Sequence, residues 1–157
     1  IVIIIRLERR TPSRIDVTLL FDGPHPTALQ RDENNRLIYK GNAPGYVERR
    51  TFEQMETWGD QYKHPELYDK DGKRKFDKRV LYGDEIDNKG MLFEARLEPV
   101  FSGEGEIEKT ETGIRIYNTE HVYFILALAT SFNGYDKSTT IEGIYPSKKN
   151  DGLLTNA

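Results

Sequence analysis

Alternation of apolar and polar residues with a period of two is the feature that most limits what this chain can build. Ile15, Val17, Leu19 and Phe21 alternate with Asp16, Thr18 and Leu20, and Phe93, Ala95 and Leu97 alternate with Glu94, Arg96 and Glu98. Ile107 and residues 113–118 continue the pattern. Successive side chains of a strand point to opposite faces, so each run predicts a half-buried strand. Residues 1–7 and 122–130 are apolar at nearly every position, as expected of central strands covered on both faces. "SGEGE" reads as a hairpin turn and "NTEH" as another, which predicts an antiparallel meander. No stretch has the length and period of a convincing amphipathic helix. The expected fold class is all-β, an antiparallel β-sandwich.

The chain has 157 residues, which suits one domain. Apolar residues make up 36% and charged residues 31%, enough for a real core under a very polar surface. A formal charge of −3 argues against nucleic acid as a partner. The absence of cysteine excludes disulfides and thiolate chemistry. No segment approaches the ~20 apolar residues of a membrane helix. The chain opens directly on an apolar strand, which predicts a piece of a longer protein whose missing strands leave apolar edges exposed. Residues 48–88 break the alternation, carry dense charge of both signs and hold the only tryptophan. They read as an irregular insertion, with one short helix expected within residues 49–62.

Several patterns that carry chemistry elsewhere do not hold up here. Asp69, Asp71 and Gly72 suggest a calcium loop, but placing Gly72 sixth puts Leu67 at the first ligand position and Lys78 at the last. The basic run 73–79 is offset by Asp69, Asp71 and Asp77, which makes it a solvated loop. His25, His64 and His121 show no metal-ligand spacing. Glu94 and Glu98 share a strand face with Arg96 between them, which reads as a surface charge ladder and not as a catalytic pair. "TPSR" and "ATSFNG" lack the glycine-flanked elbow of serine hydrolases. No catalytic residue, metal site or cofactor is therefore expected within the chain.

Two candidate sites remain. Trp58, Tyr62 and Tyr68 cluster in the insertion with Gln61 and His64 between them, and flat aromatic faces beside polar groups suit sugar rings. Alternatively, Trp58 pins the insertion onto the sandwich. The second candidate is the loop after the last apolar strand. Asn133 and Gly134 both tolerate positive φ and end that strand, and Tyr135, Asp136 and Lys137 follow beyond the sheet. Packing at a domain boundary, bordering a sugar cleft, and a self-contained turn are all open readings of this loop.

Residues 90–100, "GMLFEARLEPV", and residues 113–138, ending "ALATSFNGYDKS", resemble the N-terminal domain of glycoside hydrolase family 95, the α-L-fucosidase type. "DVTLLFDGPHP" is similar to that family's strand ending in a Pro- and His-rich turn. The resemblance covers both ends of the chain and not residues 48–88. It implies the later part of a large N-terminal β-sandwich. The implied partners are the rest of a parent chain, carrying a catalytic (α/α)₆ barrel, and an oligosaccharide substrate. It implies an inverting mechanism whose acid and base lie in the barrel, none of them in this chain, and an exported location. A stand-alone carbohydrate-binding module and a purely structural or adhesion sandwich are the rival readings.

Overall fold

The computed structural model describes residues 1–9, 13–83, 85–86 and 90–155. The antiparallel strands form two facing layers. The larger sheet has five strands in the order β1 (Val2–Glu8), β10 (His121–Thr130), β7 (Leu92–Ser102), β4 (Leu37–Asn42) and β3 (Thr27–Arg31). The smaller has three, in the order β2 (Ile15–Leu20), β9 (Gly113–Thr119) and β8 (Glu106–Lys109). The expected all-β sandwich is the fold of the chain.

The period-two residues meet between the layers. Leu37, Leu97, Val122 and Phe124 of the large sheet face Ile114 and Ile116 of the small one, all of them buried. Val17, Leu19 and Ile107 pack around this centre from the small sheet. The register explains the selection: Leu126 pairs with Leu97, and Phe101 with Val122, so the apolar positions of β7 and β10 lie on one face. At one end Arg31, on the edge strand β3, reaches across the layers. It donates from Nε to the Gly113 carbonyl at 3.1 Å and from Nη2 to the Glu111 carbonyl at 2.9 Å.

The connections differ from the expected meander. β7 and β8 lie in different sheets, so "SGEGE" is a crossing and not a hairpin turn. β8 and β9 form a hairpin in the small sheet, and the chain then crosses back to place β10 beside β7. The return passes Asn118, at φ 59°, and the buried Thr119, whose hydroxyl donates to the His121 carbonyl at 2.9 Å. Asn is among the few side chains that accept that backbone conformation.

Two further expectations are corrected. Strand β1 is an edge strand and not a central one: it pairs only with β10, and Ile3, Ile4 and Ile5 are exposed. Among the described residues nothing covers its far edge. The chain also has a ten-residue helix, which the sequence reading missed. Following α1 (Phe52–Thr57) and α2 (Asp60–Lys63) in the chain, this helix is α3 (Pro146–Thr155), and it lies on the outer face of β7 and β10. Beneath it Glu94 is buried, not part of a surface ladder: Arg96 Nε donates to its Oε1 at 2.6 Å, and Asn150 Nδ2 to its carbonyl at 3.1 Å. Arg96 also bonds Asp151. Glu98 pairs separately with Arg36 at 2.7 Å.

Two outcomes test this architecture. Phe124→Ala should lower the unfolding free energy in urea by about 3–5 kcal/mol, because the cavity opens between both sheets. The 157-residue chain should self-associate through its uncovered strand edge, and Ile4→Lys should shift it to monomer in sedimentation velocity, since charge on an edge strand opposes pairing.

Candidate functional site

The insertion is a compact unit and not an irregular loop. It begins with β5 (Tyr46–Val47), which pairs with β6 (Val80–Leu81) and so brings its two ends together. Between them lie α1 (Phe52–Thr57), α2 (Asp60–Lys63) and a short 3-10 turn, Pro65–Leu67. Thr51 and Gln54 close a reciprocal capping box at the start of α1: the Gln54 N–H donates to Thr51 Oγ1, and the Thr51 N–H to Gln54 Oε1. Leu67, Leu81 and Ile86 make a second small core, packed against Tyr46, Tyr68 and Phe76.

An ion pair organises this unit. Asp60 is only 4% exposed, and Arg74 Nη1 reaches its Oδ2 at 3.3 Å. The Tyr68 hydroxyl donates to the same oxygen at 2.9 Å, and Arg74 Nε donates to the Phe76 carbonyl at 3.1 Å. The guanidinium lies among aromatic rings, 5.0 Å from the centre of Phe52, 5.8 Å from Tyr68 and 6.0 Å from Tyr46. Such stacking favours a delocalised cation taken out of water. Burial raises the pKa of the Tyr68 phenol, and its bond to the Asp60 carboxylate adds to the rise. The Tyr46 phenol is raised first by burial and then by the Asp60 charge.

Above this network α1, α2 and residues 68–77 enclose a cleft of about 680 Å³. Phe52, Met55, Tyr68 and Phe76 supply its apolar surface, and Glu56, Gln61, Lys73 and Asp77 stand at its polar side. The 69–73 turn is fixed by Asp69, whose Oδ1 accepts the Asp71 N–H at 3.0 Å and the Lys73 N–H at 2.8 Å. Of the three aromatics singled out in the sequence, only Tyr68 belongs to this cleft. Trp58 and Tyr62 stand outside it, 62% and 82% exposed, and Arg50 stacks on Trp58 at 5.2 Å. Phe52, Asp60, Arg74 and Phe76 were not anticipated. The Thr-x-x-Gln capping signature at 51–54 was the available signal that an ordered helix starts there.

The second candidate, residues 131–145, forms a strap across the end of β7 and β10. Buried Ser131 anchors it, exchanging bonds with Leu92 through its N–H at 2.9 Å and its Oγ at 3.0 Å. Asn133 Nδ2 donates to the Glu142 carbonyl at 2.9 Å, and the Glu142 carboxylate accepts the Ser138 N–H at 3.1 Å. Of the two turn residues that tolerate positive φ, Gly134 adopts it, at φ 121°. The strap also needs glycine at 143, where a Cβ would come within 2.2 Å of the Thr139 carbonyl oxygen. Tyr135 is fully exposed, with its ring edge-on to Phe132 at 5.2 Å, and Asp136 and Lys137 are exposed beside it. Ile141, Ile144 and Tyr145 also face solvent. A tightly bonded loop thus holds large apolar side chains in water.

Compared with known proteins, the chain matches no protein-family model and no curated sequence. The described residues contain no cluster of three or more His, Asp or Glu arranged to hold a metal ion. No helix is long and apolar enough to cross a membrane.

The Tyr46 and Tyr68 phenols carry a pH signature. Each is raised above its unfolded value, so each contributes stability that is complete below pH ~10 and is lost as pH rises through the folded pKa. Unfolding free energy should therefore fall above that pH, and Tyr68→Phe should reduce the fall in urea melts compared across pH 8–11. Arg74→Ala strands the Asp60 carboxylate in a buried site. It should cost about 3–5 kcal/mol and speed amide exchange across residues 52–77.

Proposed function

We propose that this chain is the non-catalytic β-sandwich portion of a glycoside hydrolase of the α-L-fucosidase type, supporting a catalytic (α/α)₆ barrel carried by a longer polypeptide. The observation that carries this reading is the strap. Monomeric proteins rarely hold a contiguous group of large apolar side chains in water unless a partner covers them. Phe132 and Tyr135 touch edge-on, and Ile141, Ile144 and Tyr145 are exposed on the same strap, whose backbone is fixed by its own hydrogen bonds. Beside it runs an apolar groove of about 620 Å³, lined in part by Ile1, Phe93, Leu128, Phe132 and Leu153. A rigid surface of this kind suits permanent docking of a neighbouring domain.

The family resemblance supports the same occupant. The segments that carry it fall on β2, β7, β9, β10 and the first half of the strap, all within the sandwich and the end where the strap lies. The insertion lies outside them. Asn133 acts in this reading by shaping the strap through its bond to the Glu142 carbonyl, and Tyr135 and the exposed Asp136 by meeting the barrel. Catalysis remains with the barrel, and export with the parent chain.

The test is fucose release from an α-1,2-fucosylated oligosaccharide by the parent enzyme and by the 157-residue chain in parallel. The parent should be active and the chain alone inactive. In the parent, Tyr135→Ser with Ile141→Ser should lower both thermal stability and activity, while in the isolated chain the same change should leave stability within about 0.5 kcal/mol. An inactive parent removes the fucosidase assignment. Unchanged parent stability removes the docking role of the strap.

A further inference from the structure

We infer that the cleft of the insertion is a binding site for a neutral saccharide, separate from any catalytic centre. The inference does not depend on the fucosidase reading, because it rests on residues outside the segments that carry the resemblance. Three properties of the cleft lead to it.

The first is size and rigidity. About 680 Å³ lies within the range of small-ligand sites and accommodates a mono- or disaccharide. The floor is already fixed, since Asp60, Tyr68 and Arg74 bond one another and the 69–73 turn is held by Asp69. A ligand therefore meets a formed surface and loses little affinity to ordering it.

The second is the division between paired and unpaired groups. The floor side chains bond one another through Asp60 Oδ2, the Tyr68 hydroxyl and Arg74 Nη1, and among the described residues only the buried Arg74 Nη2 is left without a hydrogen-bond partner there. At the rim, Glu56, Gln61, Lys73 and Asp77 make no side-chain hydrogen bond among the described residues, although all four line the same cleft. Together they offer carboxylate acceptors, an ammonium donor and an amide that does both, the set that adjacent ring hydroxyls engage.

The third is charge balance beside aromatic surface. Glu56, Asp60 and Asp77 are matched by Lys73, Arg74 and Lys75 around the cleft, so neither an anion nor a cation is selected by net charge. A purely apolar ligand would strand these polar groups. A sugar ring satisfies both halves of the lining, placing its C–H face on Phe52 or Phe76 and its hydroxyls on the rim.

The experiment uses the 157-residue chain and three probes: methyl α-L-fucopyranoside, methyl β-D-galactopyranoside and methyl β-D-glucopyranoside. Each is titrated by two-dimensional NMR to roughly 50 mM, a range that captures the weak affinity usual for one small ring. At least one should bind saturably, with shifts concentrated on the amides of residues 52–77. Glu56→Ala and Gln61→Ala lie on exposed helical positions and should leave the fold intact by circular dichroism, while each weakens binding about fivefold or more. Saturable binding by none of the three overturns the inference. Binding that survives both variants, or shifts centred on the strap, places the site elsewhere and also overturns it. Preferential binding of inorganic phosphate at the cleft overturns the neutral ligand class. Fucose release plays no part in any of these outcomes, so the failure of one reading is distinguishable from the failure of the other.

Discussion

Strand β10 is the element on which the rest depends. It lies between β1 and β7, so its backbone bonds on both edges. Its inner face, with Val122 and Phe124, closes the core against Ile114 and Ile116 of the small sheet. Its outer face receives α3. This is why residues 122–130 are apolar on both sides, and why the chain turns polar immediately afterwards. The strap leaves the sheet at the one point where the core ends, and buried Ser131 returns its hydrogen-bonding capacity to β7.

The insertion solves a different problem with different means. It has few apolar residues to bury, so a sandwiched cation takes the place of a larger core. Arg74 contributes packing surface as much as charge, because its planar guanidinium can lie against three rings while its edge bonds Asp60 and the Phe76 carbonyl. Lysine in that position would keep the charge and lose the plane. The outcome is a small ordered unit whose upper surface is free to be polar.

How much of this was legible in the sequence follows from the range of each interaction. The half-buried strands were readable because period two is a local signal, visible at Val17 and Leu19 or at Ala95 and Leu97 without knowledge of their partners. Residues 1–7 were read as a strand for the same reason, but pattern records which residues prefer burial and not which neighbour covers them, so an edge was taken for a centre. Helix α3 was hidden because Gly152 and paired lysines weaken its periodicity. Its position comes from Asn150 and Asp151 meeting Glu94 and Arg96, more than fifty residues away in sequence. The cleft was glimpsed only through Tyr68 and Gln61. Its organising contacts join Asp60 to Tyr68 and to Arg74, separations of eight and fourteen that follow no period. The site aromatic that is easiest to see in sequence, Trp58, turned outward.

The crossing connections also govern how the molecule assembles. The β8–β9 hairpin is inserted in the chain between two strands that are neighbours in space. A short hairpin closes in microseconds. The pairing of β7 with β10 closes a longer loop, one that contains this hairpin and returns through Asn118 and Thr119, at a larger cost in chain entropy. Pairings of this sequence separation slow the assembly of the two layers relative to the local hairpin.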